Sequence, residues 1–173
     1  MDGAASVTAR STAGAAKGPT VAGRVIPISG PTFSLPLRVF YEDTDAAGIV
    51  YYANYLKFAE RGRTEMMRAL GLEHTGIEAQ TGVLFTVRWL SADYLQPARL
   101  DDMLSVDTRV VEIGAATLRL DQQISRDGAV LAALDVLVAC VGRDGRPRRV
   151  PPALRAALEK PAPASPSIVQ KTP

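Results

Sequence analysis

The stretch VFYEDTDAAGIVYYANYLKFAERGRTEMMRALG, residues 39–71, changes its hydrophobic period midway, and this change decides the fold. The residues around its start, LRVFYE (37–42), are β-formers in weak alternation, which predicts a strand. DTDAAG (43–48) contains the Asp and Gly residues typical of a turn. From about Tyr51 the apolar residues follow the i, i+3, i+4, i+7 rule, which predicts one long amphipathic helix ending at Gly71.

The interior of this predicted helix contains a glycine, Gly62. Glycine in a helix interior is about 1 kcal/mol less favourable than alanine. Close approach of the helix to a sheet would offset this difference, because glycine has no side chain to keep the two backbones apart. We therefore expect the helix to pack against a sheet at Gly62.

Strand-like segments make up most of the chain after the helix. Four long candidates are separated by turn-like connections and comprise residues 83–95, 103–113, 116–125 and 129–141. The last of them is almost entirely apolar, which predicts a central strand covered on both faces. One long helix followed by consecutive antiparallel strands is typical of an α+β domain in which the sheet wraps the helix. With the strand before the helix the sheet has about five strands, and this arrangement is the hotdog fold.

The two ends of the chain differ in composition from this central part. Residues 1–34 are rich in Ala, Gly, Ser and Thr without a continuous apolar stretch, which predicts a disordered N-terminal extension rather than a secretory signal. The alternative interpretation of this segment is an organelle transit peptide, which it weakly resembles. Residues 160–173 are rich in Pro and Ser and are also predicted to be disordered. The hotdog domain is therefore expected to span residues 35–159.

Composition argues against several classes of function. A net charge of +2 gives no support to a nucleic-acid partner, and no apolar run approaches the roughly 20 residues that span a membrane. Cys140 and His74 are the only cysteine and the only histidine, so neither an internal disulfide nor a Cys/His zinc cluster can form. We therefore expect a cytoplasmic protein with no metal, no cofactor and no stable membrane insertion.

Three carboxylates, Glu42, Asp43 and Asp45, come just before the predicted helix. The first N–H groups of a helix have no intrahelical partner and carry partial positive charge, so they can stabilise an oxyanion. Gly48 has no side chain and would let a substrate carbonyl approach the backbone. Asp45 lies within reach of that carbonyl as a base or a nucleophile. Taken alone, Asp45 is more often an Asx-turn residue, and Glu42 and Asp43 are interpreted as organisers of the turn.

The scarcity of histidine favours thioesters over amides as substrates. An amide or an oxygen ester usually needs a general acid to protonate its leaving group, whereas a thiol with a pKa near 8.5 departs readily as the thiolate. A carboxylate beside an oxyanion hole is therefore a minimal hydrolytic site for a thioester. The chain has no G-x-S-x-G motif, so a serine hydrolase is unsupported.

Three segments resemble those of a known family. YEDTDAAGIVYYANYLKFAERGRTE (41–65) resembles the signature of the 4-hydroxybenzoyl-CoA thioesterase family, and within it most closely the acyl-CoA thioesterases associated with the Tol–Pal system. DYLQPARLDDMLSVDT (93–108) and GRPRRVP (145–151) resemble two further stretches of that family, in the same order. The resemblance covers residues 37–158 and implies a hotdog fold, a homodimer or homotetramer, and hydrolysis of acyl-CoA to free acid and CoA.

The resemblance also implies roles for individual residues. Asp45 matches the family's catalytic aspartate, and the backbone N–H of Tyr52 matches its contact to the oxyanion. Many Tol–Pal-associated members have His where this chain has Tyr52, whereas members of the 4-hydroxybenzoyl type have Tyr. A backbone N–H survives that exchange, so we expect the difference to affect acyl preference and not activity.

Arginines near the end of the domain are candidates for binding CoA. Arg148 and Arg149 match the family's third segment and are interpreted as contacts to the phosphates of CoA, because arginine suits phosphate oxygens. A solvated charged edge is the ordinary alternative for this cluster. Arg88 and Arg99 are further candidates.

Two other functions fit the same predicted fold. A non-catalytic hotdog module would bind acyl-CoA, or act as a scaffold, without turnover. A hotdog dehydratase acts on hydroxyacyl thioesters and usually has a catalytic histidine, but His74 follows the predicted helix and does not lie in the turn before it. The hydrolase is therefore the favoured interpretation.

Overall fold

A computed structural model describes residues 32–160. Its strands are β1 (Phe33–Arg38), β2 (Leu84–Tyr94), β3 (Met103–Ile113), β4 (Thr117–Arg126) and β5 (Ala129–Val141). Its helices are α1 (Asn54–Ala69), α2 (His74–Thr81) and α3 (Pro152–Leu158), and a single 3-10 turn covers Tyr41–Asp43. The predicted N-terminal extension and C-terminal tail fall almost entirely outside the described residues.

The five strands form one antiparallel sheet in the order β1-β3-β4-β5-β2. The last three strands in the chain pair consecutively, whereas β2 lies at the far edge beside β5. β5 has a strand on each side and most of its residues are buried, as its apolar sequence predicts. The predicted α+β class, with a sheet of five antiparallel strands, is confirmed.

The strand before the helix lies earlier in the chain than residues 37–42, where the sequence predicts it. β1 ends at Arg38 after pairing with β3. The Asp43 carboxylate then accepts a hydrogen bond from the Phe40 N–H (2.9 Å). This local bond gives the backbone an alternative to the sheet, because Asp side chains compete for main-chain N–H groups. The β-forming residues of this segment therefore enter a 3-10 turn instead of extending the strand.

Helix α1 packs against the sheet through its glycine, as predicted. A Cβ placed on Gly62 would lie 2.8 Å from Val106 Cγ1 and 2.9 Å from Thr108 Oγ1 of β3. At the same level, Gln122 Nε2 donates hydrogen bonds to the Ala59 carbonyl (2.8 Å) and to Thr108 Oγ1 (2.9 Å). A residue with any side chain at this position would push the helix away from these contacts.

The end of α1 also follows the prediction. Gly71 has a positive φ of 73°, which glycine adopts without steric penalty. The Gly71 N–H donates to the Arg68 carbonyl (2.8 Å) and the Leu72 N–H to the Met67 carbonyl (2.9 Å). These two bonds form a Schellman motif and satisfy carbonyls that the helix would otherwise leave unpaired.

Two short helices, α2 and α3, are missing from the sequence prediction. α2 begins at His74, in the part of the chain that follows the predicted long helix. Only Ile77 of α2 is buried, and only Leu154 of α3. Helices with a single buried side chain have no detectable apolar period, which is why the sequence does not indicate them.

Candidate active site

A tight turn holds Asp45 and Gly48 just before helix α1. Thr44 and Val50 form an isolated antiparallel bridge at its base. The Asp45 N–H donates to the Ile49 carbonyl, and the Gly48 N–H donates to the Asp45 carbonyl, each over 2.9 Å. Gly48 has a positive φ of 71°, which closes the turn. A Cβ at Gly48 would meet no protein atom within 4 Å, so the space in front of this residue is open.

The Asp45 side chain is exposed and oriented by the turn itself. Its Oδ1 accepts a hydrogen bond from the Ala47 N–H (2.8 Å), which is the Asx-turn that the sequence offers as its ordinary role. Within residues 32–160, no protein donor reaches the second carboxylate oxygen. One oxygen therefore fixes the side chain, and the other remains available to a water molecule or a substrate carbonyl.

Asp43 connects this turn to the start of the helix. It is 4% exposed, and its main-chain carbonyl accepts hydrogen bonds from the Tyr51 N–H and from Asn54 Nδ2, both over 2.9 Å. Its carboxylate caps the Phe40 N–H on the other side. The interpretation of Asp43 as an organiser of the turn is confirmed, and Asn54, at the first position of α1, is its partner.

The backbone at the start of α1 presents free donors. The Asn54 N–H donates to the Tyr51 carbonyl (2.8 Å) and the Leu56 N–H to the Ala53 carbonyl (3.2 Å). In the described part of the chain, neither the Tyr52 N–H nor the Ala53 N–H has an acceptor. Both lie at the positive end of a 16-residue helix, where an anionic oxygen is stabilised.

The rings of Tyr51, Tyr52 and Tyr94 form an aromatic wall beside these donors. The ring of Tyr52 lies 4.6 Å from that of Tyr51 and 6.1 Å from that of Tyr94, measured between centroids. Tyr94 in turn packs edge-on against Tyr55 at 5.6 Å, and the Tyr55 hydroxyl accepts a hydrogen bond from the Ala98 N–H (2.8 Å). Tyr51, Tyr52 and Tyr94 are each more than two-fifths exposed, so the wall faces solvent in one protomer.

The sequence does not single out Tyr94 or Ala98, although both belong to DYLQPARLDDMLSVDT (93–108). Their resemblance to a family segment is the one signal that could have indicated them. They reach the site only because the chain folds back after β2 and bonds to Tyr55.

The surroundings raise the pKa values of Tyr51, Tyr94 and Tyr55. The pKa of Tyr51 is raised by a hydrogen bond with Tyr52, and further by the Tyr52 charge, by burial and by the charge of Asp45. Burial raises the pKa of Tyr94, and it also raises the pKa of Tyr55 against the opposing hydrogen bond from Ala98.

Within one protomer, the predicted CoA-binding arginines do not lie beside Asp45. Arg148 pairs with Asp144 (3.1 Å), and Arg149 is exposed. Both follow Val141 in the chain, and Val141 pairs with Leu84. The two arginines therefore lie near the beginning of β2.

Tyr94 of the aromatic wall stands at the opposite end of β2 and pairs with Ala132. The two ends of β2 are about 30 Å apart at ~3.3 Å per strand residue. Arg99 is nearer, because its backbone bridges to Ile49 beside the turn. Arg88 is exposed on β2.

Between residues 32 and 160, no group of three or more His, Cys, Asp or Glu side chains could hold a metal ion. In the same range, no helix combines the length and the apolar character needed to cross a membrane.

Comparison with known proteins places this geometry in a family. The model of the thioesterase-like superfamily matches residues 39–158. The chain is 45% identical over 109 residues to the acyl-CoA thioesterase YbgC of Haemophilus influenzae, covering 63% of this chain and 80% of that protein. It is 39% identical over 130 residues to the acyl-CoA thioester hydrolase YbgC of Escherichia coli O157:H7, covering 74% of this chain and 96% of that protein.

Solved structures of other proteins superpose on the fold described above. A probable thioesterase from Bartonella henselae superposes with a TM-score of 0.66 at 33% identity, covering 69% of this chain and 99% of that one. A 1,4-dihydroxy-2-naphthoyl-CoA thioesterase from Synechocystis superposes with a TM-score of 0.69 at 22% identity, covering 73% and 95%. The predicted hotdog fold is thereby confirmed.

Proposed function

The chain belongs to the thioesterase-like superfamily, and on this premise we propose that it hydrolyses acyl-CoA thioesters to the free acid and CoA. One observation carries the proposal at the level of the site. A carboxylate with a free oxygen, that of Asp45, and a backbone N–H without an acceptor, that of Tyr52, belong to one hydrogen-bonded unit held by Asp43. This unit supplies both a base and an oxyanion donor without any further group.

The thioester carbonyl enters the open space at Gly48, with its oxygen toward the Tyr52 N–H. In the general-base route, Asp45 takes a proton from water while the hydroxide oxygen bonds to the carbonyl carbon. The electron pair of the C=O bond moves onto oxygen, where the N–H and the helix dipole stabilise it. When that pair returns, the C–S bond breaks, and the CoA thiolate takes the proton from Asp45.

In the nucleophilic route, an Asp45 oxygen bonds to the carbonyl carbon directly. Loss of the CoA thiolate leaves a mixed anhydride, and water then cleaves it to the acid and regenerates the carboxylate. Label found in Asp45 after single-turnover hydrolysis in ¹⁸O-labelled water would identify this route. Attack of water on the aspartyl carbonyl of the anhydride would put label in Asp45, whereas the general-base route puts it only in the product acid.

The site is consistent with a thioester and not with an amide. The mechanism has no general acid besides the proton that Asp45 itself acquires, and a thiolate leaves without further help because an ordinary thiol has a pKa near 8.5. His74 begins α2, beyond the far end of α1, so no imidazole from this chain approaches Asp45. This placement also argues against the dehydratase alternative.

The unpaired edge of β2 supports an oligomer. In the described part of the chain, β2 pairs only with β5, so its other edge presents free N–H and C=O groups. The opposite edge strand, β1, is shorter and contains Pro36, which has no N–H to donate. We infer a homodimer in which two copies of β2 pair antiparallel about a twofold axis; two such dimers would make the homotetramer.

This pairing would complete the CoA site. Antiparallel alignment brings the beginning of one β2 beside the end of the other, so the partner subunit's Arg148 and the partner subunit's Arg149 would approach the aromatic wall near Asp45. Arginine forks suit the pyrophosphate of CoA. Sedimentation tests the dimer, and a fully active monomer would overturn both this dimer and the role of these arginines.

Two finer assignments, the first from composition and the second from the resemblance, are also part of this proposal. They are a cytoplasmic location and an association with the Tol–Pal system. Cell fractionation tests the location, and co-purification with Tol–Pal components from the native host tests the association.

Release of CoA thiol tests the proposed activity. Purified wild-type protein is assayed against short, long and aromatic acyl-CoAs, with binding of each followed in parallel. We expect turnover of at least one class, and the profile then gives the acyl preference. Binding of acyl-CoA with no thiol release from any substrate would instead support the non-catalytic binding module.

A further inference from the structure

A cavity lies at the opposite end of helix α1 from Asp45. It has a volume of about 50 Å³ and lies between the C-terminal half of α1 and the sheet. Its wall is almost entirely apolar, with Met66 and Met67 from the helix facing Phe85, Leu120 and Val138 from the strands. An apolar wall of this character favours a small apolar group over ordered water.

This cavity is separate from the candidate active site. Arg63, the first of its lining residues, lies about 16 Å from Tyr52 along the helix at ~1.5 Å per residue. Between them, Phe58 and Ala59 are fully buried, and a Cβ on Gly62 would already clash with β3. Within one protomer, this packed face of the helix therefore separates the cavity from Asp45.

A half-buried cation lines the cavity without an anionic partner. Arg63 Nη1 donates a hydrogen bond to Gln122 Oε1 (2.7 Å), but no carboxylate in the described range lies within ion-pair distance of its guanidinium. Burial lowers the pKa of Arg63, and the more distant charge of Glu60 opposes that shift. Burial of a charge without a counter-ion is unfavourable, so an anion bound here would relieve that penalty.

The only histidine of the chain, His74, also lines this cavity. His74 lines it from the start of α2, and its ring packs edge-on against Phe85 with centroids 5.5 Å apart. Within residues 32–160, its ring nitrogens have no hydrogen-bond partner. The lining therefore combines a guanidinium, an imidazole and apolar side chains, and it contains no Asp or Glu.

From this combination we propose that the cavity binds a short aliphatic carboxylate, with its alkyl end against Met66 and Met67 and its carboxylate toward Arg63 and His74. The charge of the lining selects an anion, and the apolar wall selects an alkyl group. The volume limits the alkyl group to a few carbons, because the cavity is about a third of the roughly 150 Å³ of a cavity that holds benzene. The proposal goes beyond the hydrolytic activity and does not depend on it.

The four methionines of the chain, at positions 1, 66, 67 and 103, make a direct test possible. Full-length protein with ¹³C-labelled methionine methyl groups is titrated with sodium butanoate, with butan-1-ol as the uncharged control. We expect butanoate to shift the signals of Met66 and Met67 but not that of Met103, and butan-1-ol to bind about tenfold more weakly. Equal responses to both probes, or no shift at either methionine, would overturn the proposal.

Three variants complete the test. Arg63→Gln keeps a polar contact to Gln122 and should weaken butanoate binding about tenfold, whereas Leu158→Trp should fill the mouth of the cavity and abolish binding. If Arg63→Gln does not fold, Leu158→Trp decides, and retained binding in it contradicts the proposal. Asp45→Asn should bind butanoate like wild type, which separates this site from the proposed activity.

A truncated protein provides one more test of the proposal. A protein ending at Lys160 should bind butanoate as the full chain does. Binding that appears only after this truncation would show that the protein's own tail occupies the cavity and would overturn the proposal.

Discussion

The side-chain amide of Asn54 donates a hydrogen bond of 2.9 Å to the main-chain carbonyl of Asp43. Both residues are buried, and the same carbonyl accepts the Tyr51 N–H. The bond ties the last residue before the Asp45 turn to the first residue of α1. It therefore sets the separation between the Asp45 carboxylate and the Tyr52 N–H, although neither Asp43 nor Asn54 faces the substrate.

Asn54→Ala should disturb both stability and activity. Removing the amide leaves the buried carbonyl with one donor fewer, which should reduce the free energy of unfolding by about 1–3 kcal/mol. Because the turn loses its tie to the helix, kcat should fall more than KM rises. Chemical denaturation and steady-state kinetics measure the two effects, and an unchanged kcat in a folded variant would contradict the positioning role.

Gly62→Ala should destabilise the protein even though alanine favours helices. The added Cβ would lie 2.8 Å from Val106 Cγ1, and overpacking of this kind outweighs a helix-propensity gain of about 1 kcal/mol. We expect a net loss of about 1–2 kcal/mol in the free energy of unfolding.

Gly76→Ala provides the matched control for this substitution. Gly76 lies in α2 with no atom within 4 Å of a built Cβ, so alanine should stabilise the protein by about 0.5–1 kcal/mol. If Gly62→Ala stabilises the protein as Gly76→Ala does, the close packing of α1 on β3 is wrong.

Cys140 should be unreactive until the protein unfolds. Its side chain is fully buried in β5, and burial raises the pKa of its thiol. A disulfide-exchange reagent should therefore detect no thiol in native protein and one per chain in denaturant. Stoichiometric reaction of the native protein would contradict the burial of β5.

The same residue makes stability depend on pH in a defined window. The unfolded thiol titrates near pKa 8.5, and the folded thiol above that value. Its stabilising contribution is fully present below pH ~8.5 and is lost as the pH rises through the folded pKa. Unfolding measured from pH 7 to pH 10 should show a smaller decline in Cys140→Ala than in wild type, and parallel declines would contradict this assignment.

Patterns that repeat over many residues are the ones that the sequence predicts correctly. α1 has such a period, and the four long strands are β-forming or apolar runs of ten or more residues. Gly62 and Gly71 occupy the positions that the packing and the helix end require. β1 is displaced because one side-chain bond, from Phe40 N–H to Asp43, overrides β-propensity. Single contacts of this kind leave no period in a sequence.

The same distinction between local patterns and tertiary contacts applies to the residues of the candidate site. Asp45 and Gly48 are close in the chain, so turn chemistry predicts their proximity. The contact of Tyr55 with Ala98 depends on tertiary packing, and the distance of Arg148 from the site depends on the course of the sheet. Neither can be obtained from local sequence.

The decisive measurement compares thiol release from acyl-CoA by wild type, Asp45→Asn and Glu42→Gln. Glu42 is the matched control because it is an exposed carboxylate in the same acidic cluster and has no role in the proposed mechanism. We expect kcat to fall at least ~100-fold in Asp45→Asn and to change less than about twofold in Glu42→Gln, with both variants folded. Equal rates for Asp45→Asn and wild type would contradict the assignment of Asp45 and the mechanism built on it.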